Sequence, residues 1–253
     1  MDKIGFCGSS YIVGVGLDNP ENEVFCRLVA EELNTEFITY PKKGGRTVDQ
    51  IFAQSIQSIL ENKLTIIMCN AYNGEEFIVS LNGLQTLHTS DESIAISNLP
   101  GLDISKARWI THGEVHRIVR GDINEFLKVV DYIPLCQRLA DKLDHNILLI
   151  NTTIPYVNET DTIDTIHKDV FPILSEGRLI ESDHHRRSIT NQNLNILKKH
   201  WKELSKFNWL TFKPVKKATF FVDMGNDNMH FGPKSHRLLA KDVVKYIKDK
   251  GLL

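Results

Sequence analysis

Residues 64–69 read LTIIMC, an apolar run without the polar alternation that a half-solvated strand would show. A strand of this kind is covered on both faces, which is the habit of a parallel sheet packed between helices. The flanking segments agree. On the N-terminal side, TVDQIFAQSIQSILE (47–61) is spaced as a helix, with Thr47 as its N-cap and Gln50 at the capping-box position. Before it, EFITY (36–40) reads as a strand and KIGFCG (3–8) as another, buried one. Between these two, NPENEVFCRLVAEELN (19–34) has Val24, Leu28 and the turn from Ala30 to Leu33 at helical spacing, with acidic residues in the first turn, where the helix dipole favours them.

The alternation continues toward the C-terminus. INEFLKVVDYIPLCQRLADKLD (123–144) is a long amphipathic helix, and NILLINTTIPY (146–156) is a strand closed by Pro155. TNQNLNILKKHWKELSK (190–206) is a further helix, ATFFVD (218–223) is the last strand expected, and a terminal helix runs to about Asp249. Residues 71–121 mix Asn, Gly, Ser and Asp with hydrophobics and suggest loops and short helices. Strands alternating with helices predict an α/β protein with a parallel sheet covered on both faces. We expect one domain over 1–253, with irregular insertions at about 71–121 and 158–189, because no repeat, linker or low-complexity tract divides the chain.

Composition narrows the functional classes. The 253 residues are 42% hydrophobic and 25% charged, with a net charge of -2 and a pI near 6.6. Such a balance supplies no whole-chain field for nucleic acid or an anionic membrane. The basic pairs Lys42/Lys43, Lys198/Lys199 and Lys216/Lys217 are scattered and lack interleaved aromatics. No apolar run approaches the roughly 18 residues that span a bilayer, and the N-terminus lacks the basic region and cleavage site of a signal peptide. Cys7, Cys26, Cys69 and Cys136 stand singly without a CxxC pair, so neither a zinc site nor a disulfide framework is predicted. A reduced, cytoplasmic setting is expected, with no membrane or nucleic-acid partner.

In doubly wound folds the chemistry collects at the carboxyl ends of the strands. Four polar clusters sit there: CGSSY (7–11), PKKGGRT (41–47), MCNAYN (68–73) and DNMHFGPKSHRLLAKDV (227–243). Acyl transfer needs such a set: a hydroxyl nucleophile, an imidazole base, a carboxylate to orient it, and donors for the developing oxyanion. Each piece has a plain alternative. Ser9 and Ser10 suit a tight turn, Gly44 and Gly45 permit one, Asn70 can cap a strand, and Asp227 with His230 can belong to a solvated Asx-turn.

The order of blocks resembles the SGNH hydrolases, also called GDSL esterases and lipases. GSSYIVGVGL (8–17) is similar to that family's first block, YPKKGGRTVDQI (40–51) to its second, and DNMHFGPKSHRLLAKDV to its last, an Asp-x-x-His followed by a Gly/Pro turn and a Leu/Ala-rich helix. The resemblance implies a three-layer αβα sandwich around a doubly wound, mostly parallel five-stranded sheet of flavodoxin type. It implies Ser10 as nucleophile, His230 as general base and Asp227 as its orienter. The oxyanion hole would be the amides of Ser10 and Gly45 and the side chain of Asn70. The implied substrate is an ester, such as an acyl group on a carbohydrate or another small polar molecule, with no cofactor or metal.

Two positions depart from the family pattern: Ser9 stands where Asp is usual, and CNAYN (69–73) where Gly-x-Asn-Asp is usual. They motivate a second expectation, an inactive scaffold of the same fold serving a larger assembly such as a virus particle. A third, metal-dependent hydrolysis, would use His112 and His116 at i and i+4 with Asp183, His184 and His185. No third ligand lies near the first pair and Gly113 weakens its helix, so a solvated face is the simpler reading. Asp183 to Arg187 reads as an exposed charged loop, His88 has no companion, and His236, one to two turns into the last helix, reads as structural.

Overall fold

The computed structural model describes residues 3–41, 48–69, 89–90, 93–94, 123–152, 160, 191–211, 218–228 and 230–253. Its elements run β1 (Lys3–Cys7), α1 (Ser10–Val13), α2 (Pro20–Glu23), α3 (Phe25–Leu33), β2 (Glu36–Thr39), α4 (Val48–Glu61) and β3 (Leu64–Cys69). Then follow β4 (Thr89–Ser90), β5 (Ser93–Ile94), α5 (Ile123–Lys142), β6 (Asn146–Asn151), α6 (Asn191–Leu204), β7 (Trp209–Thr211) and α7 (Pro233–Lys250). Five strands form one parallel sheet in the order β2-β1-β3-β6-β7, while β4 and β5 make a separate antiparallel ribbon. The order reverses between β1 and β3, as in flavodoxin-type sheets.

The unbroken apolar run of β3 has the cause its sequence suggests. Successive side chains of a strand point to opposite faces. Leu64, Ile66 and Met68 join Ile4, Phe6, Leu148 and Ile150 in a core closed by α3 and α7. Ile67 and Cys69 join Cys7, Ile147 and Leu149 in a second core closed by α4, α5 and α6. Each large aliphatic side chain withdrawn fully from water contributes roughly 1.5–3 kcal/mol of transfer free energy. The two cores therefore hold the helices on both faces of the sheet, making the three-layer sandwich.

Two segments differ from the sequence reading. The last strand is Trp209–Thr211, paired with Leu149 and Ile150 of β6, and not ATFFVD. In 218–223 the amides find other acceptors. Phe221 N–H bonds the Ala218 carbonyl at 3.1 Å, and the amides of Val222 and Asp223 both donate to Ser235 Oγ at 3.0 Å. A backbone satisfied in this way needs no ladder, and Phe220 is buried against Phe231 instead. The helix expected over 19–34 breaks at Val24, whose φ of -68° and ψ of 136° are extended. That break lets α3 begin afresh at Phe25, where its first amide meets a side chain from α7, described below. The expected cap Thr47 and the bulk of 71–121 and 158–189 lie outside the described residues.

One buried polar chain crosses the layer beneath α4. Ser58 Oγ lies 2.8 Å from Thr65 Oγ1, and Thr65 Oγ1 lies 2.9 Å from His145 Nε2. Asn62 Nδ2 donates to the Ser58 carbonyl at 3.0 Å. Burial, reinforced by nearby Lys63, lowers the His145 pKa. Gly5 of β1 makes room for this chain, because a Cβ there would stand 1.9 Å from Ser58 Oγ. Gly5→Ala should therefore destabilise the protein by about 3 kcal/mol, at the upper end of overpacking effects, read as a lower urea midpoint. Ser58→Ala in the same chain should recover part of the loss, and a Gly5→Ala midpoint equal to that of the parent would contradict this packing.

Candidate active site

The switch point between β1 and β3 brings the first and last blocks together. The chain leaves β1 at Cys7, turns through Gly8 and Ser9, and enters the single-turn helix α1 at Ser10. Helix α1 ends on Gly14 in the left-handed conformation, and the chain folds back through Gly16, whose φ is 90°. The Gly16 carbonyl accepts the Asn226 amide at 2.9 Å, and Asn226 Nδ2 donates to Asp18 Oδ1 at 3.0 Å. A Cβ on Gly16 would lie 2.9 Å from Asp227 Oδ1 and would also need a positive φ. Glycine is thus required here twice over, by backbone conformation and by close approach.

Across this contact, Asp227 binds His230 with both carboxylate oxygens. Oδ1 accepts the His230 main-chain amide at 3.0 Å, and Oδ2 lies 2.5 Å from Nδ1 of the ring. A carboxylate accepts, so in the neutral ring the proton sits on Nδ1 and the lone pair on Nε2. The imidazole is walled by Tyr11, the residue after Ser10, with ring centroids 5.3 Å apart at 66°. Tyr11 also lies over Phe231 at 4.3 Å. Burial, with the Asp227 charge adding to it, raises the Tyr11 phenol to about 12, so it stays un-ionised at neutral pH.

Tyr11 and Gly16 thus carry the Ser10 helix against the Asp227–His230 loop. Among the described residues no hydrogen bond joins the Ser10 hydroxyl to His230; contacts of this kind are often loose before substrate is present. Gly45, Asn70, His88, His112, His116 and Asp183 to Arg187 lie outside the described residues. The end of β3, from which Asn70 departs, is pinned: the Thr152 amide and hydroxyl donate to the Cys69 carbonyl at 2.9 and 2.5 Å. Among the described residues no group of three His, Cys, Asp or Glu side chains is placed to hold a metal. No described helix is long and apolar enough to cross a membrane.

Behind His230, the fully buried His236 of α7 has the structural place expected of it. Its Nδ1 accepts the Phe25 amide at 3.2 Å, capping α3 from another helix, and its ring stacks on Phe25 at 6.0 Å and 17°. The Val24 N-cap has no side-chain oxygen to do this. Since Nδ1 accepts, Nε2 carries the proton, and it has no partner among the described residues. Sequence inspection missed Tyr11 and Gly16 as members of the site; the V-G-V-G spacing after the serine was the available sign of a tight fold-back.

Two solved structures are similar in fold. One is TesA, at 10% identity with a TM-score of 0.49, the match covering 100% of both chains. The other is a lipase from a goat rumen metagenome, at 13% identity with a TM-score of 0.48, covering 97% of both chains. No protein-family model and no curated protein sequence matches the chain.

Burial lowers the His236 pKa from 6.5 to about 4. The folded value lies below the unfolded one, so the stability it confers is whole above pH 6.5 and is lost as pH falls from 6.5 toward 4. At about 1.4 kcal/mol per pH unit this amounts to about 3 kcal/mol. Urea denaturation at pH 7 and pH 4 should show the parent losing about that much more than His236→Phe, whose ring cannot titrate. Equal losses in the two proteins would assign the acid sensitivity elsewhere.

Proposed function

We propose that this protein is a serine hydrolase that cleaves esters by acyl transfer, with Ser10 as nucleophile, His230 as general base and Asp227 as the group that orients it. The observation that carries this reading is the two-point grip of Asp227 on the amide and Nδ1 of His230, on a loop held beside the Ser10 helix. It supports a ring whose Nε2 is free to take a proton, and that is the form a general base needs. The order of the sequence blocks, similar to that of SGNH hydrolases, supports the same assignment.

In the proposed reaction His230 Nε2 takes the Ser10 hydroxyl proton while Oγ attacks the ester carbonyl carbon. The imidazolium formed is stabilised by Asp227, and its proton passes to the leaving alkoxide as the carbon–oxygen bond breaks. Water then enters and gives its proton to Nε2 as its oxygen attacks the acyl carbon; the acyl–Oγ bond breaks, the proton on Nε2 returns to Ser10 Oγ, and the acid leaves. Donors for the oxyanion would be the Ser10 and Gly45 amides and the Asn70 side chain, each worth roughly 2.7–4 kcal/mol in the transition state. The substrate class proposed is an acylated carbohydrate or another small polar ester. Protein groups and water complete this chemistry.

Ser10→Ala should lower the kcat for p-nitrophenyl acetate by about 10³-fold or more while the far-UV spectrum stays that of the parent. A fluorophosphonate probe should label the parent at Ser10 and leave the variant unlabelled. Undiminished turnover by Ser10→Ala would remove Ser10 from the mechanism, and failure of the folded parent to label would favour the inactive-scaffold reading.

A further inference from the structure

Asp223 and Ser235 lie outside the proposed Ser10–Asp227–His230 set, yet they close the loop that carries two of its members. We propose that these two residues form a latch that holds the His230 ring in register, making them positioning residues of the proposed reaction. The role rests on His230 being the base; the latch itself rests on geometry.

The loop between them is a short antiparallel excursion. Met224 bridges to Phe231, the Gly225 amide donates to the His230 carbonyl at 2.9 Å, and the Gly232 amide donates to the Asp223 carbonyl at 3.0 Å. At its neck Ser235 is fully buried. A hydroxyl has one proton and two lone pairs. Both lone pairs of Ser235 Oγ receive amides, from Val222 and Asp223 at 3.0 Å. Its proton goes to Asp223, with Oδ1 at 2.6 Å and the main-chain carbonyl at 2.9 Å.

Asp223 returns the grip, Oδ1 accepting the Ser235 amide at 2.7 Å and Oδ2 the Lys234 amide at 3.0 Å. These are the first-turn amides of α7, whose own N-cap, Gly232, has no side chain to serve them. A Cβ on Gly232 would lie 2.6 Å from the Asp223 carboxyl carbon, so the close approach depends on glycine. The cap of α7 is therefore supplied from the far side of the loop. An adjacent Ser or Asp would cap the helix equally well but would leave the neck open. Burial acts to raise the Asp223 carboxyl, and the Ser235 hydroxyl with the two amides outweighs it, holding the group below the usual carboxylate range.

The test compares Ser235→Ala, Asp223→Asn and, as a control in the polar chain beneath α4, Thr65→Val. One readout is the neutral tautomer of His230, from the ring nitrogen shifts in long-range ¹H–¹⁵N spectra; the other is kcat and KM for p-nitrophenyl acetate. The parent should hold the Nδ1–H tautomer. Both latch variants should drift to Nε2–H and lose about tenfold to a hundredfold in kcat with KM little changed, the scale of a small misplacement of a catalytic group. Thr65→Val should lower the urea midpoint and move neither readout.

An Nε2–H ring in the parent, or a parent-like tautomer in the folded latch variants, would overturn the latch. If Ser235→Ala fails to fold, Asp223→Asn, which keeps the side chain's volume, decides on the same two outcomes. The tautomer arm does not depend on turnover. If Ser10→Ala stays active, the hydrolase reading falls while the tautomer still reports on the latch.

Discussion

The architecture depends on one constraint: β3 and β6 have no polar face to give to water. From Leu64 to Cys69 every side chain is buried, and from Ile147 to Asn151 likewise. Both faces must be covered, so the chain has to leave the sheet after each strand and return as a helix before pairing again. Parallel strands with right-handed crossovers are the outcome that chain geometry favours. Every strand of the five-stranded sheet then points the same way, so the carboxyl ends of β1 and β3 lie side by side at one edge, and the chain leaving β1 packs beside the loop that precedes α7. The candidate site is thus a by-product of how the core is closed.

What that edge becomes is set by close approaches. Gly16 meets Gly225 so tightly that a Cβ on Gly225 would stand 2.3 Å from the Gly16 carbonyl oxygen. The fold-back after α1 and the loop before His230 therefore lie back to back, with Asp227 between them. Larger side chains at either glycine would separate the Ser10 helix from His230, whatever the proposed nucleophile and base could do by themselves. Tyr11 closes the same gap with a ring instead of a backbone, packing on His230 and Phe231 together.

The sequence made the covered strands legible because an apolar run without alternation has few physical meanings. It made the Asp227–His230 pair legible because a carboxylate three residues before an imidazole can reach its ring locally. It misplaced the last strand, because the aromatic pair Phe220 and Phe221 between the β-branched Thr219 and Val222 looks like strand chemistry until the amides of Val222 and Asp223 are seen to bond Ser235. The capping of α3 by His236 spans 211 positions, and the contact of Gly16 with Asp227 is of the same long-range kind. Contacts of that kind are fixed by tertiary packing and leave no local periodicity or spacing to read.

Three of the four described histidines show why His230 alone among them suits the proposed role of base. His236 has Nδ1 engaged by the Phe25 amide and its pKa lowered to about 4; a proton there would be a buried charge that the Asp223 carboxylate offsets only in part. His145 is lowered by burial too, and its Nε2 is taken by Thr65. His230 has a carboxylate to share the charge of an imidazolium and keeps Nε2 without a partner among the described residues. The neighbouring phenol of Tyr11 stays un-ionised, so no second anion competes with Asp227 for the ring. Residue type is the same in all three cases; burial and the identity of the Nδ1 partner separate two structural imidazoles from the one that fits the proposed role of base.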